Sequence, residues 1–520
     1  MAMLKRQLPL NLGVNIVNFL VGLLAGIWLT PYLISTLGVA AYGLIPLAMV
    51  LAEYVALITT SINGAISRFL TIAIQQQRTE EATRIFSTAF FFLSAVVVVL
   101  TPMLGWVSYN VHHLIKVPAG YTQEAASLLF MTFLGSLLSI MSAIFSSSLY
   151  ANNRLDLCRV IDITRVVVRV VVIIGCFSLL EPTLRYVGYA NFAGGATSLL
   201  VSILLNRRMN PLLRITARSF DSSQLKTLVS FGGWTVISQL GHVLFARLDL
   251  VLANLLTGAV VAGKYAALLQ WTVLLQSLAG LLAGVCAPVV LILYSRGQYG
   301  HLVEMVILAI KLMAMTIAIP AGLLCGFAVP LLRFWLGPSF TPYASLFWIT
   351  IAPLVIILGV TPLFAVQNAY KRIMVPSLVM VLLGLINIPA ILLLVNYTSL
   401  GIYAICLSGA VLWVVKCGLF NTLYNAHFTM QPRGTFLRPL LPGIVTLALA
   451  WGAALLCQQL IVITSPVVLA ICAVVIALLL ATLVVTVLLG RADRDELQSV
   501  LRTLRSSNSV SEMRGNNVHV

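Results

Sequence analysis

The sequence predicts an all-α membrane protein with about 14 transmembrane helices, in two groups of six followed by two further helices. Of its 520 residues, 60% are hydrophobic and only 9% are charged, and the mean hydropathy is +1.05. A soluble domain has about 25% charged residues, so lipid must solvate much of this surface. Apolar runs of ~20 residues, enough to cross a ~30 Å hydrocarbon core, recur along the whole chain.

The apolar runs define the predicted helices in order. They lie at about 10–34, 41–70, 86–108, 123–150, 160–180, 185–206, 228–256, 262–293, 303–329, 342–367, 375–396, 400–424, 438–460 and 466–489. Short polar loops separate them. Lys5 and Arg6 precede the first run, which is long enough to span and lacks a small-residue cleavage site. We therefore expect a membrane helix there rather than a cleaved signal peptide.

Positive charge alternates between successive loops, which predicts the orientation of the helices. The net charge is +17, yet only four of the 31 Lys and Arg residues lie in loops of one side, namely Lys116, Arg185, Lys264 and Arg333. The basic loops belong in the cytoplasm by the positive-inside rule, so we expect both termini there. Because the charge follows topology and no soluble domain is present, we expect no nucleic-acid partner.

The longest polar connector, 207–226, divides the first six helices from the next six. Six is even, so both groups start in the cytoplasm and would be related by an axis along the membrane normal. A weak echo between Val39-Ala40-Ala41-Tyr42 and Val261-Ala262-Gly263-Lys264-Tyr265 supports a repeat. We predict an N-lobe at 1–206, a cytoplasmic linker at 207–226, a C-lobe at 227–425, helices 13 and 14 within 426–490, and a cytoplasmic tail at 491–520.

Two opposite charges lie at similar depths in helices 2 and 7. By helical rise, Glu53 is ~18 Å and Arg247 ~14 Å from the predicted outer ends. A charge in hydrocarbon costs at least ~2.5–3.5 kcal/mol, so it usually serves a purpose. We expect Glu53 and Arg247 to pair when the cavity is shut on one side, with Asp249 as a candidate second partner, although at a spacing of two it cannot share a helix face with Arg247. Glu53 and Asp249 are then candidate gate or coupling residues, and a static ion pair is the alternative.

Cations outnumber acids inside the predicted helices. Arg169, Arg247, Lys311 and Lys416 lie deep, and Arg68 lies near the inner end of helix 2. A guanidinium forms bidentate hydrogen bonds with two phosphate oxygens, and an ammonium attracts phosphate as a point charge. These five residues therefore predict a cationic cavity for an anionic substrate, and a pyrophosphate head fits. The alternative for the two lysines is that they snorkel to the cytoplasmic headgroups.

Helix 1 carries a row of asparagines, Asn11, Asn15 and Asn18, on one helical face. A polar row facing lipid would be costly, so it must face protein or water. It either lines the cavity and binds sugar hydroxyls or forms hydrogen bonds between helices. Helix 4 has a similar serine row at Ser139, Ser142 and Ser146.

The motifs of enzymes and cofactor sites are missing. The eight cysteines show no metal-ligand spacing, and no Ser-His-Asp arrangement occurs. The segment from Gly258 to Lys264 matches part of a phosphate-loop pattern, but it joins two membrane helices and lacks the Ser or Thr for magnesium. We therefore expect no cofactor, no metal and no enzymatic activity.

Several short motifs give the chain a family resemblance. They are Leu37-Gly38 followed by Tyr42-Gly43, Asn63-Gly64 with Arg68, Ser230-Phe231-Gly232-Gly233-Trp234, Asp249, and Gly263 with Tyr265. Together with the helix count, they make the chain resemble, over nearly its whole length, the polysaccharide exporter branch of the multidrug/oligosaccharidyl-lipid/polysaccharide (MOP) superfamily. This branch contains the O-antigen and exopolysaccharide repeat-unit flippases of bacteria.

The resemblance implies a MATE/MOP-like fold of two six-helix lobes in a V, with two added helices, in the bacterial cytoplasmic membrane. It implies that a polyprenyl-pyrophosphate-linked oligosaccharide moves from the inner to the outer leaflet by alternating access. Cationic cavity residues would hold the anionic head, a role carried here to Arg68, Arg169, Arg247, Lys311 and Lys416. Expected partners are this substrate and membrane lipids, with a glycan polymerase and chain-length proteins as candidates. Lipid II flippases have more arginines in helix 1, where this chain has asparagines.

Two other functions stay open at this point. A cation-coupled multidrug exporter of the same fold would need net acidic binding sites. A membrane glycan polymerase or acyltransferase usually needs a large outer loop or a deep histidine. The predicted interior is positive and the outer loops are short, so both alternatives are less favoured than the flippase.

Overall fold

The computed structural model describes residues 2–211, 213–484 and 486, and in these ranges the only regular elements are helices. The α-helices, in chain order, are α1 (Ala2–Leu37), α2 (Val39–Gln75), α3 (Thr79–Tyr109), α4 (Val111–Leu114), α5 (Thr122–Ala151), α6 (Leu155–Leu179), α7 (Leu184–Met209), α8 (Ser222–Thr257), α9 (Ala259–Ser295), α10 (Tyr299–Gly326), α11 (Ala328–Trp335), α12 (Ala344–Ile351), α13 (Leu354–Gly359), α14 (Pro362–Ala369), α15 (Met374–Tyr397), α16 (Ile402–Val414), α17 (Thr422–Phe428), α18 (Leu441–Leu460) and α19 (Pro466–Leu483). Short 3₁₀ turns lie at Ala217–Ser219, Pro338–Tyr343 and Arg438–Leu440, and a π-helix spans Val415–Asn421. The all-α prediction is confirmed.

Twelve helical segments of the described residues are long and apolar enough to cross a membrane. Two further helices, α6 and α8, are 25 and 36 residues long. Five charged residues lie in the first 15 positions of α6, namely Asp156, Arg159, Asp162, Arg165 and Arg169, which lowers its mean hydropathy. A multi-pass membrane protein is therefore shown, while the count of 14 crossings stays a prediction. The predicted tail at 491–520 lies outside the described residues.

Several helices begin earlier or end later than hydropathy predicts. The predicted third helix begins at 86, whereas α3 begins at Thr79 with Glu80 and Glu81 in its first turn. Acidic residues in a first turn interact favourably with the helix dipole, so the helix forms well before its apolar stretch begins. The predicted seventh helix begins at 228, whereas α8 begins at Ser222. Its N-cap is Asp221, whose side chain accepts a hydrogen bond from the Ser223 amide.

The backbone repeats itself at a spacing of 220 residues. The helix α1 starts at Ala2 and α8 at Ser222, and each has 36 residues; α2 starts at Val39 and α9 at Ala259, and each has 37. A single glycine joins each pair, Gly38 with φ 83° and ψ 159° and Gly258 with φ 89° and ψ 168°. The equivalent backbone angles support the internal repeat. The helices repeat every 220 residues, whereas the similar sequence segments starting at Val39 and Val261 are offset by two or three residues more.

The helices group by packing into two compact units. The first unit contains Ala2–Ala267 and Met380–Ile405, and the second contains Leu268–Val379 and the described residues from Cys406 onward. The lobe boundaries predicted at 206 and 227 stay predictions. Three helices, α9, α15 and α16, each contribute residues to both units.

Within the first unit, α2 and α9 approach each other closely near their first turns. A Cβ added to Gly43 would lie 2.7 Å from the Cα of Gly263, and a Cβ added to Gly263 would collide with the carbonyl oxygen of Val39. Only glycine permits this backbone-to-backbone contact. In the predicted orientation the contact lies at the outer ends of the two helices.

Within the second unit, α10 packs along α18. Gln458 Nε2 on α18 donates to the Gly326 carbonyl at 2.8 Å, and from α12 the indole Nε1 of Trp348 donates to the Cys325 carbonyl at 2.9 Å. These side chains satisfy carbonyls at the end of α10 that the helix itself leaves unpaired. The helix α19 packs against this pair through an apolar cluster that includes Leu323, Ala454 and Leu469.

Candidate functional site

The predicted pairing of Glu53 with Arg247 is present between α2 and α8. Arg247 Nε donates to Glu53 Oε2 at 2.9 Å, and Arg247 Nη2 donates to Glu53 Oε1 at 3.3 Å. Two parallel bonds of this kind are the strongest geometry for an arginine and a carboxylate. The side chains of Glu53 and Arg247 keep 44% and 28% of their surface exposed. The pair is therefore accessible rather than sealed in the core.

Asp249 does not share Arg247 with Glu53. Its Oδ1 accepts a hydrogen bond at 3.0 Å from Nδ2 of Asn387 on α15, and it forms no ion pair within the described residues. Two positions along a helix correspond to ~200° of rotation, so Asp249 and Arg247 lie on different faces of α8, as their spacing predicts. The role of Asp249 as a second partner stays a prediction. Asp249 and Arg247 consequently face different neighbours.

Tyr54 lies beside these charges. Its hydroxyl is buried and has no hydrogen-bond partner in the described part of the chain, and the charges of Glu53, Arg247 and Asp249 all act on it. We call Glu53, Tyr54, Arg247, Asp249 and Asn387 the α2–α8 polar cluster. A buried hydroxyl without a partner in such a cluster is available to a ligand or a water.

Two arginines one turn apart on α6 have no acidic partner. Arg165 is exposed, Arg169 is partly buried, and neither forms an ion pair with any described residue. The Nε of Arg169 is buried without a hydrogen-bond acceptor, and the nearby groups that affect it electrostatically are Arg165 and Tyr42. Among the described arginines of α6, Arg159 is paired with Asp162, so Arg165 and Arg169 are the two that have no acidic partner.

The asparagine row of α1 is largely used within the protein. Asn11 is buried and its Oδ1 accepts from the backbone amide of Asp156 at 2.9 Å. Asn15 Oδ1 accepts from Arg159 Nε at 2.7 Å. These bonds join α1 to the start of α6, which is the interhelical alternative the sequence left open. A cavity-lining role for Asn11, Asn15 and Asn18 stays a prediction.

The serine row of α5 lines a cavity of about 350 Å³ between α2, α5, α6 and α7. Two serine pairs bridge the helices around it: Ser67 and Ser147 at 2.8 Å, and Ser142 and Ser198 at 3.1 Å. Arg165 lies at its wall. The cavity and the unpaired arginines of α6 thus belong to one region of the first unit.

The two predicted lysines lie in the second unit. Lys416 is 4% exposed, within the π-helix Val415–Asn421, and its Nζ lies 4.9 Å from the centroid of the Phe364 ring. Burial against an aromatic face is a cation–π contact and not snorkelling to headgroups. On the same π-helix, the side-chain amide of Asn421 is fully buried with no partner among the described residues. A π-helix with a buried cation is typical of functional segments.

The remaining predicted cations are more accessible. Arg68 is exposed on α2 in the first unit, and Lys311 is partly buried on α10 in the second unit. The structure thus brings Glu53, Arg247 and Asp249 into one cluster. It leaves Arg68, Arg169, Lys311 and Lys416 outside that cluster, and the roles of all of these residues stay predictions.

Comparison with known proteins places the chain in a family. Residues 11–291, more than half of the chain, match the family model described as polysaccharide biosynthesis protein. The chain belongs to this family. A relative in Bacillus subtilis (strain 168), the uncharacterized membrane protein EpsK, is 29% identical over 463 residues, which cover 88% of this chain and 91% of EpsK.

Solved structures show that this member of the polysaccharide biosynthesis family has a MATE/MOP-like fold. An inward-facing multidrug resistance MATE transporter of the MOP superfamily superimposes with a TM-score of 0.65 at 15% identity, over 81% of this chain and 98% of that one. The lipid II flippase MurJ, in an inward closed conformation, superimposes with a TM-score of 0.60 at 15% identity, over 90% and 97%. The predicted family and fold class are therefore confirmed.

The polysaccharide biosynthesis family member has three site features that the sequence did not reveal. Asn387 is the partner of Asp249, Tyr54 completes the polar cluster, and Arg165 extends the cationic face of Arg169. One signal was available for Arg165, because it precedes Arg169 by four positions and so shares a helix face. For Asn387 the only signal was an amide within an otherwise apolar run.

Proposed function

We propose that the protein flips a polyprenyl-pyrophosphate-linked oligosaccharide, an O-antigen or exopolysaccharide repeat unit, across the bacterial cytoplasmic membrane. The lobes would alternate their access so that the head group leaves the cytoplasmic leaflet and reaches the outer one. Membership of the polysaccharide biosynthesis family supports the glycan, and the shared fold of MATE and MurJ structures supports transport. The observation that carries the proposal is the uncompensated pair Arg165 and Arg169 on α6.

An unpaired guanidinium inside a membrane protein needs a compensating partner. In the described helices, Glu53 is already bound to Arg247 and Asp249 to Asn387, so neither acid is available to α6. Two arginines four positions apart present ten N–H donors on one helix face. A pyrophosphate supplies both the negative charge and the acceptor oxygens that these donors lack.

The Glu53–Arg247 pair is suited to serve as a gate. Because both side chains are partly exposed, solvent screens the attraction, and such pairs contribute only about 0–1 kcal/mol. A screened pair can close one state of the transporter and still open at less cost than a buried pair. The close contact of Gly43 with Gly263 lies toward the same predicted outer side and would close together with it.

Asp249 supports an ion-coupled cycle of the same flippase. It is an acid in a spanning helix with no basic partner in the described residues, and such groups often serve proton or cation coupling. A multidrug exporter of this fold would rest on the same feature. It is less favoured because the unpaired charges of α6 are positive.

Deletion of the gene tests the proposal. We expect surface polysaccharide to disappear while lipid-linked repeat units accumulate in the cytoplasmic leaflet, where an added membrane-impermeant enzyme cannot reach them. Wild-type protein should restore export, and the Arg165→Gln/Arg169→Gln variant should not. Drug sensitivity of the deletion strain with normal surface polysaccharide would instead establish the exporter. Repeat units exposed on the outer leaflet but left unpolymerised would establish the polymerase.

A further inference from the structure

The serine-lined cavity of the first unit has the size and chemistry of a small-molecule site. Its volume of about 350 Å³ falls in the ~300–1,000 Å³ range of such sites. Hydroxyl and amide side chains from α2, α5 and α7 line it, among them Asn63, Ser139, Ser142, Ser146 and Ser198. Neutral donors and acceptors of this kind match sugar hydroxyls, and apolar side chains such as Ala143 and Ile161 in the same lining can contact the carbon face of a sugar ring.

Some of these polar atoms are already paired, and others are not. Ser142 donates to Ser198, and Ser139 donates to the Gly135 carbonyl at 2.9 Å. By contrast, Asn63 Oδ1 is buried with no hydrogen-bond partner among the described residues, and the Ser146 hydroxyl, which is accessible from the cavity, forms no hydrogen bond with any of them. Buried polar atoms are rarely left unpaired, so Asn63 Oδ1 indicates an occupant that donates a hydrogen bond. The accessible Ser146 hydroxyl can donate to, or accept from, the same occupant.

One wall of the cavity is charged. Asp162 is held by Arg159, whose Nη1 lies 3.0 Å from Asp162 Oδ2, whereas Arg165 has no acidic partner in the described chain. The cavity therefore joins neutral sugar-binding groups to a free guanidinium. A glycosyl phosphate has the complementary arrangement, with hydroxyl groups next to an anionic phosphate.

The cavity also lies toward the side on which a substrate would enter. Ser146 is five residues from the end of α5 at Ala151, ~8 Å by helical rise, and Ser139 is twelve residues from it, ~18 Å. In the predicted orientation this end of α5 is cytoplasmic. The cavity is thus in the half of the first unit nearest the leaflet that would supply the glycan.

We propose that this cavity is a subsite for the sugar next to the pyrophosphate, with Asn63, Ser139 and Ser146 binding its hydroxyls and Arg165 binding the adjacent phosphate. The inference rests on the proposed function and adds to it the part of the protein that recognises the glycan. Ordered water fills polar cavities of this kind, and sugar hydroxyls can replace such water with equivalent hydrogen bonds.

Binding to the purified full-length protein in detergent or nanodiscs tests the subsite. The two probes are lipid-linked glycan extracted from the gene-deletion strain and bare polyprenyl pyrophosphate. Wild type should bind the glycan-bearing lipid more tightly. In the Asn63→Leu/Ser146→Val variant this preference should fall about tenfold, the loss expected for one or two neutral hydrogen bonds, with binding of the bare lipid unchanged. Arg165→Gln should weaken both probes.

The matched control is Ser178→Val, since Ser178 is an exposed α6 serine whose hydroxyl only donates to the Ile174 carbonyl. It should bind like wild type. If wild type binds the glycan-bearing lipid and the cavity variant keeps the full preference, the subsite is disproved and the flippase stands. If wild type binds neither probe, the proposed function fails. If thermal unfolding shows that the Asn63→Leu/Ser146→Val variant has lost its fold, the single variant Ser146→Ala is tested in its place.

Discussion

The guanidinium of Arg247 and the carboxylate of Glu53, 194 residues apart in the chain, form two parallel hydrogen bonds of 2.9 and 3.3 Å between α8 and α2. These helices belong to the two halves of a backbone repeat. This partly exposed ion pair therefore links the two halves of the repeat at a position ~15 Å along α2, by helical rise, from the contact of Gly43 with Gly263.

Arg247→Ala should abolish export while the protein still inserts in the membrane. The change removes a screened pair worth about 0–1 kcal/mol, so its effect on folding is small, but it also removes the contact that closes one state. Surface polysaccharide and protein level in the membrane are the measurements. Arg185→Ala, at a predicted outer loop, is the control and should export normally. Full export by Arg247→Ala at normal protein level would remove this residue from the mechanism.

The arginines of α6 should be needed for their charge and for their shape. Arg165→Gln/Arg169→Gln should lower export at least about tenfold, as expected for losing charge-assisted hydrogen bonds to phosphate. Lysine at both positions should restore part of this loss, since lysine keeps the charge but not the bidentate fork. Arg78→Gln, an exposed residue paired with Glu81, is the control. Equal export by the glutamine and wild-type proteins would show that the anion binds elsewhere.

Gly263→Val should impair both folding and transport. A side chain at this position would collide with the Val39 carbonyl and push α2 and α9 apart, and overpacking of this kind typically costs about 1–3 kcal/mol. Thermal unfolding in detergent and export in cells measure the two effects. Gly22→Ala is the control because a Cβ there meets no atom within 4 Å. A Gly263→Val protein as stable and active as wild type would show that the contact is not required.

Asp249→Asn should preserve the structure of the protein but remove the coupling of export to an ion gradient. The asparagine retains an acceptor oxygen for Asn387 Nδ2, so membrane level should be unchanged, but the side chain no longer carries a titratable charge. We expect export to fall, and the remaining export to be insensitive to collapse of the proton or sodium gradient. The readout is export with and without an ionophore. Residual export that responds to the ionophore like wild type would assign coupling to another group.

The sequence was sufficient for the fold class and for the pairing of Glu53 with Arg247, because hydropathy, loop charge and equal depth all follow from local spacing. It was insufficient where the partner depends on which helices pack together. Asp249 is bound by Asn387, 138 residues away on α15, and nothing in either segment indicates that neighbour. In the same way, the asparagine row of α1 could line a cavity or bind a helix, and only packing against α6 decides for Asn11 and Asn15.

The same limit applies to the serine row. Its spacing places Ser139, Ser142 and Ser146 on one face of α5, but a cavity forms only because small residues of α2 and α7 also line the same space. For a related reason, the sequence identified Arg169 of α6 as a candidate but not Arg165. Arg169 is deep in the predicted span, whereas Arg165 belongs to the site through the cavity wall.

Reconstitution tests the central claim most directly. Purified protein is placed in liposomes with the extracted polyprenyl-pyrophosphate-linked glycan, and an impermeant glycan-modifying enzyme outside reports how much substrate reaches the outer leaflet. With wild type or Arg78→Gln, we expect the enzyme to modify more than the half of the glycan that faces outward initially, or the glycan to exchange between leaflets faster than in protein-free liposomes. With Arg165→Gln/Arg169→Gln, we expect neither effect. Wild-type liposomes that exchange the glycan no faster than empty ones would contradict the account.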